Sequence, residues 1–214
     1  KAGDTRKSFS VLREFSDLGG AEKFLMFDGC EISTMAITAS ANAIATASFT
    51  IFGQGGGDPL TSAPAGTSYK DAIDSQPFDT FSGFLQIDGV ATCVVTEFSL
   101  NVNNGHAARY GVGCPDSQDP TVTQSVIDGS LTAYFNDMEL YKKFVDETSL
   151  SLRLAFADAA GNELEIFLPK LRVGSGTQPD VTADGPITIP INFTAHKDDT
   201  EGTHLVMKST EFTP

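Results

Sequence analysis

The chain has 214 residues, of which 28 are acidic and 14 basic, giving a net charge of −14 at pH 7. So acidic a surface repels phosphate backbones and anionic lipid, which argues against a protein that binds nucleic acid tightly. The polar residues are mostly Ser, Thr, Asn, Gln and Gly, a composition typical of strands and turns, and the longest apolar runs are far too short to anchor the chain in a membrane.

An unusually long Gly/Pro-rich stretch occupies residues 53–80. It has four glycines between positions 53 and 57 and prolines at 59, 64 and 77. Connections in a compact domain are usually only about 4–6 residues long. We therefore interpret the stretch as either disordered or held by something outside its own subunit.

Apolar and polar residues alternate in several segments, and this period of two predicts strands with one face toward a core. The clearest runs lie at residues 97–103, 149–156 and 187–194. Asp-Gly steps favour hairpin turns, and those at 88–89 and 128–129 are predicted as turns between strands. The apolar face switches at Pro169, which predicts a β-bulge there. Together these features predict a mainly antiparallel β protein.

One segment has helical periodicity instead. The sequence predicts a single flanking α-helix over about residues 137–147, whose apolar face packs against a sheet. Its packing residues are Leu140, Tyr141, Phe144 and Val145. The sequence contains no repeat of fixed period and no clear domain boundary, so we expect residues 1–214 to form a single domain.

No motif for catalysis, metal binding or cofactor binding stands out. A GxSxG elbow, an HExxH pair, a P-loop and an EF-hand loop are all absent from the sequence. Cysteines at 30, 93 and 114 match no zinc spacing and are expected as reduced, mostly packed thiols, with one disulfide plus a free thiol as the alternative. The histidines at 106, 196 and 204 are expected on the surface or in loops. We predict a protein that is not an enzyme and carries no cofactor or metal.

Several segments, taken in order, resemble the tail tube proteins of long-tailed (siphovirus-like) bacteriophages. Residues 27–53 (FDGCEISTMAITASANAIATASFTIFG) are similar to the strand, turn and Ser/Thr/Ala-rich strand pair near the start of those proteins. Later segments resemble the hairpin, the strand that enters a short helix (GSLTAYFNDMELYKKF) and the late strands of the family, at residues 87–113, 129–144, 161–173 and 187–195. The resemblance covers most of residues 24–207.

This resemblance implies a tail-tube-like fold, an antiparallel β-sandwich or partial barrel with a flanking helix, and a structural role in the virion tail. Subunits of the family form hexameric rings that stack into a tube, through which genomic double-stranded DNA passes without tight binding. The implied partners are further copies of the chain, a tape measure protein, and tail-tip and tail terminator proteins, with assembly in the bacterial host cytoplasm. Residues 1–23 would form an N-terminal arm and 53–80 an inter-subunit loop.

Two groups of residues are candidates for assembly contacts under this resemblance. Short polar side chains would line the lumen or an inter-subunit strand face, with an ordinary solvent-facing sheet as the alternative; they are Thr38, Ser40, Thr46, Ser48 and Thr50. The long loop would mediate ring stacking through Gly55, Gly56, Gly57, Asp58, Pro59 and Pro64.

Three other functions stay open at this point. Another virion β-protein, such as a head decoration or tail-tip component, would share the composition without forming a uniform open tube. A secreted β-sandwich binding module would require a signal peptide and usually an even number of cysteines. A hydrolase using acidic residues would have a cleft in which single carboxylate mutants abolish turnover.

Overall fold

The computed structural model describes residues 5–64, 77–114, 117–135, 138, 141–143, 146, 148–158, 160–176 and 185–210. Fourteen strands lie within these residues. Their bounds are β1 Phe9–Glu14, β2 Phe24–Ser40, β3 Thr46–Phe52, β4 Gly55–Gly56, β5 Asp79–Ile87, β6 Val90–Ala91, β7 Val95–Asn103, β8 His106–Arg109, β9 Gln118–Val122, β10 Val126–Tyr134, β11 Leu150–Ala157, β12 Glu163–Gly176, β13 Thr188–Ala195 and β14 Val206–Thr210.

Twelve of these strands form one antiparallel sheet. Its order is β1-β2-β7-β10-β13-β12-β11-β5-β6, with β3 and β4 also paired to β2, and β14 paired to β12. Strands β8 and β9 form a separate two-stranded sheet. The prediction of a mainly antiparallel β protein is therefore confirmed.

One face of the large sheet encloses a single apolar core. Alternate residues of β7, β11 and β13 point into it, as the period of two predicts, and Leu100, Leu152 and Ile191 are only 1%, 1% and 4% exposed. The rings of Phe98 and Phe193 stack there with centroids 6.1 Å apart. Because strands from β2 round to β5 contribute to this one cluster, the sheet curls around it as a partial barrel.

The turn predicted at residues 88–89 and the bulge predicted at Pro169 are both present in the structure. Asp88 and Gly89 both have positive φ, 51° and 77°, which is the geometry of a primed two-residue turn, and they join β5 to β6. The predicted bulge at Pro169 is confirmed, because the β11–β12 register shifts between the Leu152↔Leu168 and Leu150↔Leu171 pairs.

The turn predicted at residues 128–129 is wrong, since β10 runs straight through it. Glycine is needed at position 129 because neighbouring atoms approach its backbone closely, and not because the chain turns there. A Cβ at this position would lie 2.2 Å from the Ser99 carbonyl oxygen and 2.6 Å from the Phe193 ring. Only glycine allows β7, β10 and the Phe193 ring of β13 to pack this tightly.

The predicted helix is described only in part. Residues 141–143 are helical, and helical hydrogen bonds run from the Lys142 N–H to the Met138 carbonyl and from the Asp146 N–H to the Lys142 carbonyl, both 2.8 Å. Tyr141 packs against the core as predicted. The other predicted packing residues lie outside the described residues, namely Leu140, Phe144 and Val145. Within the part of the chain that is described, no helix is both long and apolar enough to cross a membrane.

Candidate assembly surfaces

Short polar side chains cover the side of the sheet that faces away from the core. The β2–β3 register places Thr46 opposite Thr38, Ser48 opposite Ala36, and Thr50 opposite Thr34. The hydroxyl oxygens of Thr38 and Thr46 are 2.7 Å apart. The five residues predicted for this role therefore share one face, and all are exposed in the single chain: Thr38, Ser40, Thr46, Ser48 and Thr50.

This polar sheet face, made of the outward residues of 34–40, 46–50, 97–103 and 126–132, continues across two more strands. Ser99 lies opposite both Thr38 and Ser130, and the Ser99 and Ser130 hydroxyl oxygens are 2.8 Å apart. The two ionisable residues in these rows are both acidic, Glu97 and Asp128. The face is consequently smooth, uncharged over most of its area and free of cations.

The opposite side of β3 is apolar and incompletely covered. Phe49 pairs with Met35, whose side chain packs against the core. Phe49 and Ile51 therefore face the same side of the sheet as the core but lie beyond the edge of the core. They are 52% and 47% exposed, and Ile44 just before the strand is 57% exposed. Within the described residues β3 pairs with β2 alone. An apolar strand with an open edge is a site where another strand can add.

Part of the Gly/Pro-rich stretch is held by its own subunit. Gly55 and Gly56 form β4 and pair with Asp28 and Phe27 of β2. Further along, the Gly57 N–H donates to the Met26 carbonyl at 3.1 Å, and Leu60 exchanges hydrogen bonds with Phe24. The interpretation of the whole of 53–80 as disordered or held only from outside is therefore wrong for residues 54–60.

The same applies to the far end of the stretch, where β5 already begins at Asp79. Residues 65–76 lie outside the described residues. Ring stacking through Gly55, Gly56, Gly57, Asp58, Pro59 and Pro64 stays a prediction.

A group of ionic side chains that the sequence reasoning missed ties four segments together. Arg6 donates to Glu31 from Nε (3.2 Å) and Nη2 (2.8 Å), and to Asp119 from Nη1 and Nη2 (both 3.0 Å). On its other side, Glu31 lies 2.7 Å from Nε2 of His106. Gln54 adds a hydrogen bond to Asp119 at 3.1 Å.

Burial and charge set the protonation of the two carboxylates in this Arg6 cluster (Arg6, Glu31, His106 and Asp119). The Glu31 side chain is only 8% exposed. Burial alone would raise its pKa, but the hydrogen bonds from Arg6 and His106 outweigh burial and hold the pKa below its ordinary value. The hydrogen bonds from Arg6 likewise lower the pKa of Asp119. Both carboxylates are therefore ionised at neutral pH, which suits the bidentate geometry of the guanidinium.

His106 corrects one expectation drawn from the sequence. It was expected on the surface or in a loop, but its side chain is 6% exposed and faces Glu31. Arg6 lies 25 residues from Glu31 and 113 residues from Asp119 in the sequence, and His106 lies 75 residues from Glu31. No local pattern links such positions, so only the folded chain brings them together.

No arrangement typical of an active site is present in the part of the chain that the structure covers. The described residues contain no group of three or more His, Cys, Asp or Glu side chains placed to hold a metal ion. One open cavity of about 340 Å³ lies between β4 and the β8–β9 loop, lined by Phe27, Gly53, Gln54, Gly55, Gly56, Tyr110 and Ser117. These residues supply no general acid and base pair.

Comparison with known proteins gives one extensive match. A family model described as "Phage tail tube protein" matches residues 2–195. No curated protein sequence matches the chain.

Among similar solved structures is a chain from the sheath–tube complex of an extracellular contractile injection system, PVC, in its extended state. It is 14% identical, covers 63% of this chain and 93% of its own, and has a TM-score of 0.48. The sheath/tube terminator of the same system is 14% identical, with coverages of 64% and 99% and a TM-score of 0.49. The anti-feeding prophage cap is 13% identical, with coverages of 69% and 100% and a TM-score of 0.46.

Proposed function

The chain belongs to the phage tail tube protein family, and from this premise we propose that its copies close into hexameric rings that stack into a tube for phage DNA. Membership makes the chain a structural protein of the virion tail. The proposal adds that each ring contains six subunits, that the rings stack, and that DNA passes through the tube from the head to the host.

The observation that carries ring closure is the open edge of β3. On one side of the sheet β2 is followed by β1 and β3, which pair with different stretches of it, and on the other side the sheet ends in β5 with β6. Both β3 and the β5–β6 end expose apolar side chains. Phe49 and Ile51 do so on β3, while Phe84 is 41% and Val90 69% exposed at the other end. A contact between two unlike surfaces of identical subunits is heterologous, and it generates a closed ring when the rotation suits.

The polar sheet face is the proposed lining of the channel. Its short hydroxyl and amide side chains offer no bulky obstacle, and its two ionisable residues, Glu97 and Asp128, repel phosphate rather than bind it. A channel lined with Lys or Arg would hold DNA through phosphate contacts. We therefore infer that Thr38, Ser48 and their neighbours point toward the DNA.

Ring stacking and the remaining partners complete the proposal. The Gly/Pro-rich stretch would contact a neighbouring ring, with residues 54–60 doing so while paired to their own β2. A tape measure protein would occupy the growing channel, and tail-tip and tail terminator proteins would cap its two ends. Assembly would take place in the bacterial host cytoplasm. No catalytic step enters this function, so we infer a protein that is not an enzyme.

The test is electron microscopy of the concentrated purified protein, alone and with its tail-tip complex. Hollow stacked rings with six-fold class averages are expected in at least one of the two preparations, and a reconstruction should place the polar sheet face on the inside. Monomers in both preparations would overturn the proposed tube. Rings with an outward-facing polar sheet face would overturn the assignment of the channel lining alone.

A further inference from the structure

The β8–β9 hairpin is structurally separate from the main sheet. Its strands are four and five residues long and pair only with each other within the described residues. An isolated two-stranded hairpin is marginally stable in water. Something other than strand pairing must therefore hold this hairpin in one position.

At its base the hairpin is tied to β2 by one residue, Asn104, through its backbone and its side chain. The Asn104 N–H donates to the Ser33 carbonyl and its Nδ2 donates to the Ile32 carbonyl, both at 2.9 Å. These bonds fix where the hairpin leaves the sheet, but they do not reach β9. The far end, with Tyr110 73% exposed and Val112 fully exposed, projects into solvent.

Among the described residues, the hydrogen bonds that reach β9 from outside the hairpin come from Arg6 and from Gln54, and Pro120 of β9 is buried as well. Arg6 bridges Glu31 of β2 and Asp119 of β9 with two hydrogen bonds to each carboxylate. Gln54 reaches Asp119 through its side chain and accepts the Ser117 N–H at its carbonyl, 2.9 Å away. His106 of β8 meets the same Glu31. The guanidinium therefore lies between a carboxylate of the main sheet and a carboxylate of the hairpin.

Arginine has the shape that this bridge requires. Its planar fork offers five N–H donors and can hold two carboxylates in bidentate fashion, whereas lysine offers a single charged point. The Glu31 side chain is 8% exposed and the Asp119 side chain 68% exposed, so the Glu31 side of the bridge is shielded from water and the Asp119 side is largely screened by it. The arm itself is fixed by the pairing of β1 with β2.

We propose that the N-terminal arm is a strap, in which Arg6 fastens the β8–β9 hairpin to β2. With the arm seated, the hairpin and its exposed tip at residues 110–112 keep one position. With the arm displaced, Asp119 loses its cation and the hairpin moves on its base at Asn104. Any use of this strap in tube assembly rests on the proposed function, because a neighbouring copy would have to contact the arm or the tip.

Hydrogen exchange on the unassembled full-length chain tests the strap without needing a tube. Arg6→Gln is compared with wild type and with Lys7→Gln, a control that removes the same charge from the exposed adjacent residue. In Arg6→Gln, amides of residues 106–109, 118, 119, 121 and 122 should exchange about two- to five-fold faster, because opening of the hairpin no longer breaks the partly exposed ion pair with Asp119. Amides of β7, β10 and β13 should be unchanged, as should the whole pattern of the control.

Arg6→Lys should fall between wild type and Arg6→Gln, since lysine keeps the charge without the fork. If Arg6→Gln loosens the whole chain, Asp119→Asn decides, because it removes the charge at β9 and leaves the Arg6–Glu31 side of the bridge and an oxygen acceptor for Gln54 in place. Unchanged protection of residues 118–122 in Arg6→Gln, or in Asp119→Asn where that variant decides, would overturn the strap. Absence of tubes in electron microscopy would count against the proposed function and leave this result standing.

Discussion

Replacing Phe49 by Thr is expected to leave the subunit folded and to weaken its self-association. The Phe49 side chain is 52% exposed in the single chain. A Phe side chain buries roughly 200 Å² when fully covered, so about 100 Å² is available to a neighbouring subunit. At about 25 cal/mol per Å², covering this area contributes about 2.5 kcal/mol, which corresponds to about a 60-fold change in the association constant.

The substitution also affects folding, because about half of the Phe49 side chain is already covered within the subunit. Thr has a strand propensity close to that of Phe, and loss of the covered half lowers the free energy of unfolding by up to about 2.5 kcal/mol. Leu18→Thr is the matched control, because Leu18 is 50% exposed but lies outside β3. Light scattering against protein concentration measures association, and urea unfolding measures folding.

Phe49→Thr should need about 60-fold more protein to reach the same scattering, while the control should match wild type. If Phe49→Thr stays folded and associates at the wild-type concentration, the β3 edge is not a subunit contact and the reasoning fails.

Three further predictions concern the single subunit and are checked by urea unfolding. Gly129→Ala should lower the free energy of unfolding by about 3 kcal/mol, because the added Cβ meets backbone and ring atoms that cannot move away; Gly19→Ala, with nothing within 4 Å of the added atom, should not. Folding lowers the pKa of Glu31 from an ordinary value of 4.5, so its stabilising contribution is complete above that pH and is lost as the pH falls through the lower folded-state value. The difference in free energy of unfolding between wild type and Glu31→Gln should accordingly shrink below about pH 4.5. A constant difference down to about pH 2 would contradict the pairing. Lys143→Met removes the ion pair with Asp88, which is 39% exposed, and should cost no more than about 1 kcal/mol.

The sequence predicts most of the fold because strand alternation reports directly on burial. The runs around Leu100, Leu152 and Ile191 each have one apolar face, and each becomes a core strand. The turn at 88–89 and the bulge at Pro169 follow from residues whose backbone preferences are strong. Such signals are local, and a single sequence contains them in full.

Features that depend on distant residues were not predictable in the same way. An Asp-Gly pair reads the same in the sequence whether it forms a turn or lies in the middle of a crowded strand. The sequence therefore predicts a turn at Gly129, where the structure has a strand. The pairing of residues 55–60 with β2 uses mainly backbone groups, which carry no side-chain signal. The polar sheet face was partly predicted, because Thr38 and Thr46 alternate visibly, but its continuation through Ser99 and Ser130 required the register.

The two ends of the main sheet are different strands, and this has a consequence for any larger assembly built from them. A ring that joins β3 of one copy to the β5–β6 end of the next has no two-fold axis across it, so its upper and lower surfaces differ. Rings stacked in one orientation then give a filament with polarity. Proteins that start growth and proteins that stop it would meet chemically distinct surfaces, so the subunit itself would specify the direction in which the structure extends.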